Sequence, residues 1–422
     1  MRYLLLAAVG MLALSATSVQ AADTADPYAA RVAKVLKKTP VIDGHNDWPM
    51  TLVEKAGDGR WTLPLETLDT TDYDTDITRL HRGMVGGQFW SVYVSARLPQ
   101  LEQVKTTIEQ IDLVHQIVRR YPDTFQIATT AADVRKAFKA GRIASMIGVE
   151  GGGQIDDSFS VLRTYKEMGA GYLTLTHGKT IAWADSATDD PQHDGLTKFG
   201  EAVVLELNRL GMLVDLSHVS EATMLDALAV TKAPVIFSHS SARAICGHPR
   251  NVPDNVLKLV AQNGGIVMVN FAPGFISEKR RQWAALRAGE QARLASLHAG
   301  YPDRAKTALV EWEQANPQPV VTVSDVADHV DHIAKVAGVD HVGLGADYDG
   351  LPELPQGMDG VESYPALMAE LMRRGWSDSD IAKLASGNIL RVMEAAEKVA
   401  TSLKTTPAAT ATLAQLDGTP GK

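Results

Sequence analysis

The 422-residue chain has one cysteine, Cys246, so it can form no internal disulfide and build no cysteine-rich metal site. It has no basic excess. Its 41 Lys and Arg stand against 50 Asp and Glu, a net charge of −9, where a nucleic-acid binder would normally carry a basic stripe. It also lacks the roughly 20 consecutive apolar residues that cross a bilayer as a helix; the apolar run at its N-terminus, Leu4 to Ala16, has 13. No solenoid-type repeat, P-loop, G-x-G-x-x-G turn or G-x-S-x-G serine elbow is evident. Hydrophobic residues at 45% and charged residues at 22% exclude collagen-like, disordered and coiled-coil classes. Any metal in this chain must therefore be held by histidine and carboxylate.

Residues Met1 to Ala21 have the form of a secretory signal peptide. Arg2 supplies the positive start, the apolar run follows, and Val19-Gln20-Ala21 offers small residues at the cleavage positions. The expected mature protein is exported, periplasmic or secreted, with no stable membrane anchor.

Short apolar runs rich in β-branched residues recur beyond that point, bounded by glycine, proline or polar residues. They are Val41 to Asp43, Gln88 to Val94, Ile143 to Val149, Tyr172 to Thr176, Leu213 to Leu216, Val235 to Phe237, Ile266 to Asn270 and Val342 to Ala346. Helical periodicity fills most intervals, for example Leu101 to Arg120 and Val323 to Val336. Near-continuous apolar strands are the habit of parallel sheets buried on both faces. Eight of them alternating with helices predict an α/β fold, a (β/α)₈ TIM-like barrel over 22–400. A charged, Ala-rich insertion over 272–322, with Arg280, Arg281, Arg287, Glu290 and Arg293, reads as a helical hairpin with a solvated surface rather than a lid. The Thr-, Ala-, Gly- and Pro-containing stretch 401–422 reads as a disordered tail.

Several of these runs end in residues that bind metals or move protons. His45 and Asp47 are two apart, so on an extended strand they share a face. Glu150 ends the third run, His177 the fourth, His218 the fifth, His239 the sixth and Asp347 the eighth, with Asp349 two further on. In a parallel barrel all of these fall on the C-terminal rim, where active sites of this fold lie. A lone histidine at a strand end is ordinarily structural; the same placement on separate strands points to a site. Nitrogen and oxygen donors suit zinc best, with iron, cobalt or manganese as alternatives, and a carboxylate such as Glu150 can bridge two ions. Asp349 reads equally well as a loop cap. Asp328-His329-Val330-Asp331-His332 precedes the eighth strand, at the other rim, and reads as a solvated helix face. Cys246 reads as a packed thiol.

At these residues the sequence resembles the renal or membrane dipeptidase family of amidohydrolase-like barrels. The matching stretches include Val41-Ile42-Asp43-Gly44-His45-Asn46-Asp47, Gly148-Val149-Glu150-Gly151, Tyr172-Leu173-Thr174-Leu175-Thr176-His177, Trp183-Ala184-Asp185-Ser186 and Asp215-Leu216-Ser217-His218. Ser238-His239-Ser240, Arg250-Asn251-Val252-Pro253-Asp254 and Gly345-Ala346-Asp347-Tyr348-Asp349-Gly350 continue the match in order. The resemblance implies two zinc ions, one on His45 and Asp47 and the other on His218 and His239, with Glu150 bridging. It implies His177 near the substrate carbonyl, Arg250 on the substrate carboxylate and Asp347 handling the proton. The implied reaction is hydrolysis of a dipeptide with a free C-terminal carboxylate, D-residues at that position included, by a hydroxide between the metals; the family also forms homodimers. Gly178-Lys179 and Trp48 depart from the family pattern and bear on substrate preference. Two other readings stand beside it: a binuclear amidohydrolase for N-acyl amino acids or lactones, and a non-catalytic periplasmic binding protein.

Overall fold

The computed structural model describes residues 26–418, so the leader expected at Met1 to Ala21 lies outside the described residues. Nine strands alternate with helices: β1 Val41–Asn46, β2 Val85–Ser91, β3 Phe125–Ile127, β4 Ile143–Glu150, β5 Ala170–Thr174, β6 Leu213–Asp215, β7 Ile236–Phe237, β8 Ile266–Val269 and β9 Val342–Leu344. Every strand pairing is parallel. The order runs β2-β1-β9-β8-β7-β6-β5-β4, and β2 pairs with β4, so eight strands close into a (β/α)₈ barrel. The ninth, β3, is three residues long and rests on the first residues of β4, before β5 takes over from Ile147. Its brevity leaves no alternation to read, which is why the sequence does not announce it.

Strand alternation divides the buried residues into two sets. Ile42, Phe89, Met146, Tyr172, Leu213, Ile236, Ile266 and Met268 form one cluster, closed off by the helices Ala131–Lys139 and Asn388–Ser402. Val41, Trp90, Ile147, Val149, Leu173, Val214, Phe237, Val267 and Val269 pack instead with the surrounding helices. This is the inside and outside of a small barrel, filled by side chains rather than open. Full burial of each large apolar side chain is worth about 1.5–3 kcal/mol, so the staves are held on both faces. Trp48, which follows the His45/Asp47 pair, belongs to this packing: its ring lies 5.3 Å from Trp90 and 6.4 Å from Phe125.

Serine and threonine caps start the helices behind the strands, among them Ser158, Thr197, Ser220 and Ser277. The insertion opens with one turn of helix, Pro273–Ile276, followed by two longer helices, Glu278–Leu297 and Pro302–Ala315, joined as a hairpin by Arg287 against Glu313 and Trp283 beside Trp312.

Two expectations are corrected. Residues 401–418 are not a disordered tail. Leu413–Asp417 is a short helix whose Asp417 carboxylate accepts from Thr197 Oγ1 at 2.6 Å and from the Phe199 amide at 3.2 Å. It is anchored by polar contacts at a helix N-terminus, which leave no apolar period in the sequence. The helix Val323–Ala337 is not solvated at His329, which is fully buried: Nδ1 accepts from the Ala242 amide at 2.9 Å, and Nε2 lies 2.8 Å from the Ile276 carbonyl. Asp328 and His332 do lie towards solvent, paired with Arg374 and Asp254.

Candidate active site

The C-terminal ends of the strands meet at one rim. β1 and β9 continue their pairing past their formal ends, where the Asp347 amide donates to the His45 carbonyl at 3.1 Å and the Asp47 amide to the Tyr348 carbonyl at 2.9 Å. That brings His45, Asp47 and Asp347 together although 300 residues of sequence separate them. Below them the fully buried Asp43 fixes the turn. Its carboxylate accepts from the His45 amide, from Gln88 Nε2 and from the Ala346 amide at 2.7–2.9 Å. Asp215 does the same for β6 and β7, accepting from the Ser217 and Ser238 amides and from Thr174 Oγ1. His218 and Asp347 adopt left-handed backbone, with φ of 69° and 70°. Such strain in non-glycine residues costs of order 1–3 kcal/mol and collects at functional sites.

Glu150, at the end of β4, stands at the centre. Its Oε2 lies 3.3 Å from His45 Nε2, which is itself 3.3 Å from Asp47 Oδ2 and 3.8 Å from Asp347 Oδ1. Its Oε1 lies 3.0 Å from His218 Nε2, 3.4 Å from His239 Nε2 and 3.9 Å from His177 Nε2. The two carboxylate oxygens thus face two separate donor groups. Ser91 Oγ donates to Oε2 at 3.0 Å and holds the carboxylate in that orientation.

The donor set fits divalent metal ions. His218 Nε2 and His239 Nε2 point at one another across 2.8 Å, and His45 Nε2 and Asp47 Oδ1 are buried with no hydrogen-bond partner among the described residues. Unsatisfied, converging and thiol-free nitrogen and oxygen donors are what a borderline cation requires. The outer contacts agree: His45 Nδ1 meets Tyr172 Oη at 2.9 Å, and His239 Nδ1 meets Ser238 Oγ, which donates to Asp215.

The electrostatics are those of a crowded buried site. Burial raises the Glu150 carboxyl, but His45 and His218 outweigh it and hold it well below the usual carboxylate range. Burial lifts Asp347 well above its ordinary value, opposed by His45 and reinforced by Asp47 and Glu150. Burial also depresses His177, His218 and His239, with Arg250 adding to the effect at each, so their imidazoles are neutral near pH 7. Neutral imidazole is the form that binds metal.

Above this floor is a cavity of about 480 Å³, within the range of small-ligand sites. Asp47, Glu150, His177, His218, Arg250 and Asp347 line it, while His45 and His239 lie buried beneath. The Arg250 side chain is anchored by bonds from Nη1 to Ser240 Oγ (3.3 Å) and from Nη2 to the His239 carbonyl (3.2 Å), and its Nε has no partner among the described residues. Burial lowers it to about 10, so it remains a cation at neutral pH. Asp349 turns away from the cavity. It exchanges backbone-to-carboxylate bonds with Asp74, which makes it the loop cap of its two readings. Cys246 is buried with its thiol raised to about 11 by burial, and Lys179 pairs outside with Asp189.

Sequence reasoning missed part of the wall. Tyr93 stands 4.5 Å from the His177 ring and lines the cavity. Arg280 and Ala284 bring the start of the insertion hairpin to the mouth, so that segment is more than a solvated surface. There Arg280 Nη2 meets Glu353 Oε1 at 2.5 Å and Gln318 Nε2 meets Glu353 Oε2 at 2.7 Å. Nothing in the pattern of a charged, Ala-rich helix marks these positions.

A family model described as membrane dipeptidase, peptidase family M19, matches residues 29–407. Among solved structures, the probable dipeptidase PvdM from Pseudomonas aeruginosa aligns at a TM-score of 0.74 with 22% identity, over 88% of this chain and 98% of its own. A metallopeptidase named dipeptidase AC aligns at 0.70 with 25% identity, over 85% and 98%. A metallopeptidase from Rhodobacter sphaeroides, liganded with a phosphinate mimic of L-Ala-D-Ala, aligns at 0.70 with 24% identity, over 85% and 99%.

Proposed function

The chain belongs to the membrane dipeptidase family and is a metallo-dipeptidase; from that premise we propose that it is an exported enzyme using two zinc ions to hydrolyse dipeptides with a free C-terminal carboxylate. One observation carries the two-ion reading: the Glu150 oxygens face separate groups, Oε2 towards His45 and Oε1 towards His218 and His239. His45 and Asp47 would hold one ion, His218 and His239 the other, with Glu150 between. Bound there, such ions supply Lewis acidity, polarising a carbonyl and acidifying water.

The chain's own groups do the rest. Arg250 receives the substrate carboxylate: it lines the cavity, Nη1 and Nη2 each spend one N–H on Ser240 and His239 and keep another, and a charged, planar donor suits a carboxylate. Neutral His177 donates to the scissile carbonyl oxygen. A donor aimed at developing oxyanion charge is worth about 3–4 kcal/mol of barrier. Asp347 moves the proton. Its Oδ2 is pinned by Asn270 Nδ2 at 2.8 Å, which leaves Oδ1, the oxygen nearer His45, to accept a proton and return it to the leaving amine. Burial raises the Asp347 carboxyl well above its ordinary value, with His45 and Arg250 opposing, so it holds a proton more readily than an exposed carboxylate does. Tyr93 and the Arg280–Glu353 pair bound the cavity.

Acceptance of a D-residue at the C-terminal position draws support from the L-Ala-D-Ala mimic bound by the Rhodobacter sphaeroides metallopeptidase. Export rests on residues 1–21. The test is metal quantification of the purified protein together with a panel of dipeptides of both stereochemistries, N-acetyl amino acids and lactones. Two zinc ions per chain and turnover confined to dipeptides are expected. Preferential turnover of N-acyl amino acids or lactones would replace this reading with the amidohydrolase one.

A further inference from the structure

We infer that Tyr172 is a positioning residue for the metal centre: its phenol oxygen accepts a hydrogen bond from His45 Nδ1–H, which keeps the proton on Nδ1 and presents the Nε2 lone pair to the ion, an inference that rests on His45 being a ligand. Tyr172 lies on β5, inside the barrel and fully buried, with its ring 5.3 Å from Phe89. Its Oη stands 2.9 Å from His45 Nδ1 and 3.3 Å from the Gly44 carbonyl. A phenol has one proton and two lone pairs. With the proton given to Gly44, the oxygen is left to accept from Nδ1. In a neutral imidazole the nitrogen opposite a protonated Nδ1 carries a lone pair, and Nε2 is the atom that faces Asp47, Glu150 and Asp347.

The barrel interior is shaped for this contact. Gly148, on the neighbouring β4, has no side chain where a Cβ would stand 2.0 Å from Tyr172 Cζ and 2.3 Å from its oxygen. Any other residue there would drive the ring off its course towards His45. The two histidine shells also differ in kind. His239 Nδ1 meets a serine backed by the Asp215 carboxylate, whereas His45 Nδ1 meets a neutral phenol and the partner on its other side is a backbone carbonyl. Orienting contacts of this type are typically worth about 10–100-fold in metal affinity.

The experiment compares wild type, Tyr172→Phe and His45→Ala by zinc titration against a chromophoric chelator, with thermal unfolding of each metal-free form. Tyr172→Phe keeps the ring and removes only the oxygen. The expected result is one zinc bound roughly 10–100-fold more weakly, with the other zinc and the metal-free Tm close to wild type. A lower metal-free Tm with unchanged zinc affinity would mean a packing role only and would overturn the inference. His45→Ala separates the two levels: if it retains both zinc ions at wild-type affinity, the ligand assignment itself fails. If it loses one while Tyr172→Phe binds as wild type, only the role of Tyr172 fails. A second measurement needs no stable Tyr172 variant. In zinc-loaded protein labelled with ¹⁵N-histidine, the His45 signals, assigned by their loss in His45→Ala, should show Nδ1 carrying the proton; a proton on Nε2 refutes the inference.

Discussion

Arg250→Ala gives the sharpest test of how the cavity recognises substrate. Arg250 is 3% exposed, and its guanidinium is held in place by Ser240 Oγ and the His239 carbonyl. A hydrogen bond to a charged group contributes about 1.5–3 kcal/mol net, and a factor of ten corresponds to about 1.4 kcal/mol, so loss of the carboxylate contact should raise KM about 10–150-fold. The contact is made equally in ground and transition states, so kcat should change much less. The substitution also frees the His239 carbonyl in a buried place, a cost of about 1–3 kcal/mol to stability, and His239 is a proposed ligand. Zinc content must therefore be measured on the same preparation. Arg250→Lys is the companion variant, since it keeps the charge and loses the fork. The assay pairs each dipeptide with its C-terminal amide. Amides have no carboxylate to lose, so their KM should move little. An equal rise for acid and amide, with zinc retained, would refute the carboxylate contact.

Asp347→Asn should keep its zinc and lose about 10²–10⁴-fold in turnover, the usual worth of positioned acid–base catalysis; an unchanged rate removes Asp347 from the proton path. His329 gives a pH prediction away from the rim. Burial holds it at about 4, against an ordinary histidine value of 6.5, so between those limits the unfolded chain takes up a proton that the folded chain refuses. Stability should fall as pH drops from about 6.5 to 4, by about 3 kcal/mol at 1.36 kcal/mol per unit. Denaturant unfolding of His329→Gln should lack this part of the slope, and identical slopes would contradict it. Asp417→Ala should lower stability by about 0.5–2 kcal/mol through the lost bonds at the start of the helix Lys198–Leu210; an unaltered Tm would mean the short helix is not anchored there.

That the candidate site residues would gather at one rim was legible because their types conflict with their places. A buried parallel strand has no structural need to end in Glu150, His218 or His239, and the barrel turns that repetition into a single rim. The rest was hidden for physical reasons. Tyr172 reads as one more large residue in an apolar strand, and only the cross-barrel distance to His45 gives its hydroxyl a role. Arg280 and Glu353 are 73 residues apart, on a charged helix and a loop that each look solvated until they meet at 2.5 Å. His329 lies in a run with Asp328, Asp331 and His332, which face outwards, yet together with Val330 it turns to the interior, where its Nδ1 bonds the loop after β7.

Charge supplies the step from this geometry to metal. Asp47 and Glu150 are buried at the rim with the nearly buried Asp347 beside them and Asp43 and Asp215 just beneath; among the described residues lining the cavity the basic ones are Arg250, next to these carboxylates, and Arg280, at the mouth. Two like charges 4 Å apart repel by about 4 kcal/mol at an effective dielectric constant of 20, so such a group is costly unless cations or protons share it. The protein already leans on protons at Asp347 and His45, both shifted upward. Divalent ions would displace those protons and satisfy the carboxylates at once. Metal uptake and folding stability are therefore coupled in this chain, and affinity for the ions must fall as pH falls and protons compete for the same oxygens and nitrogens.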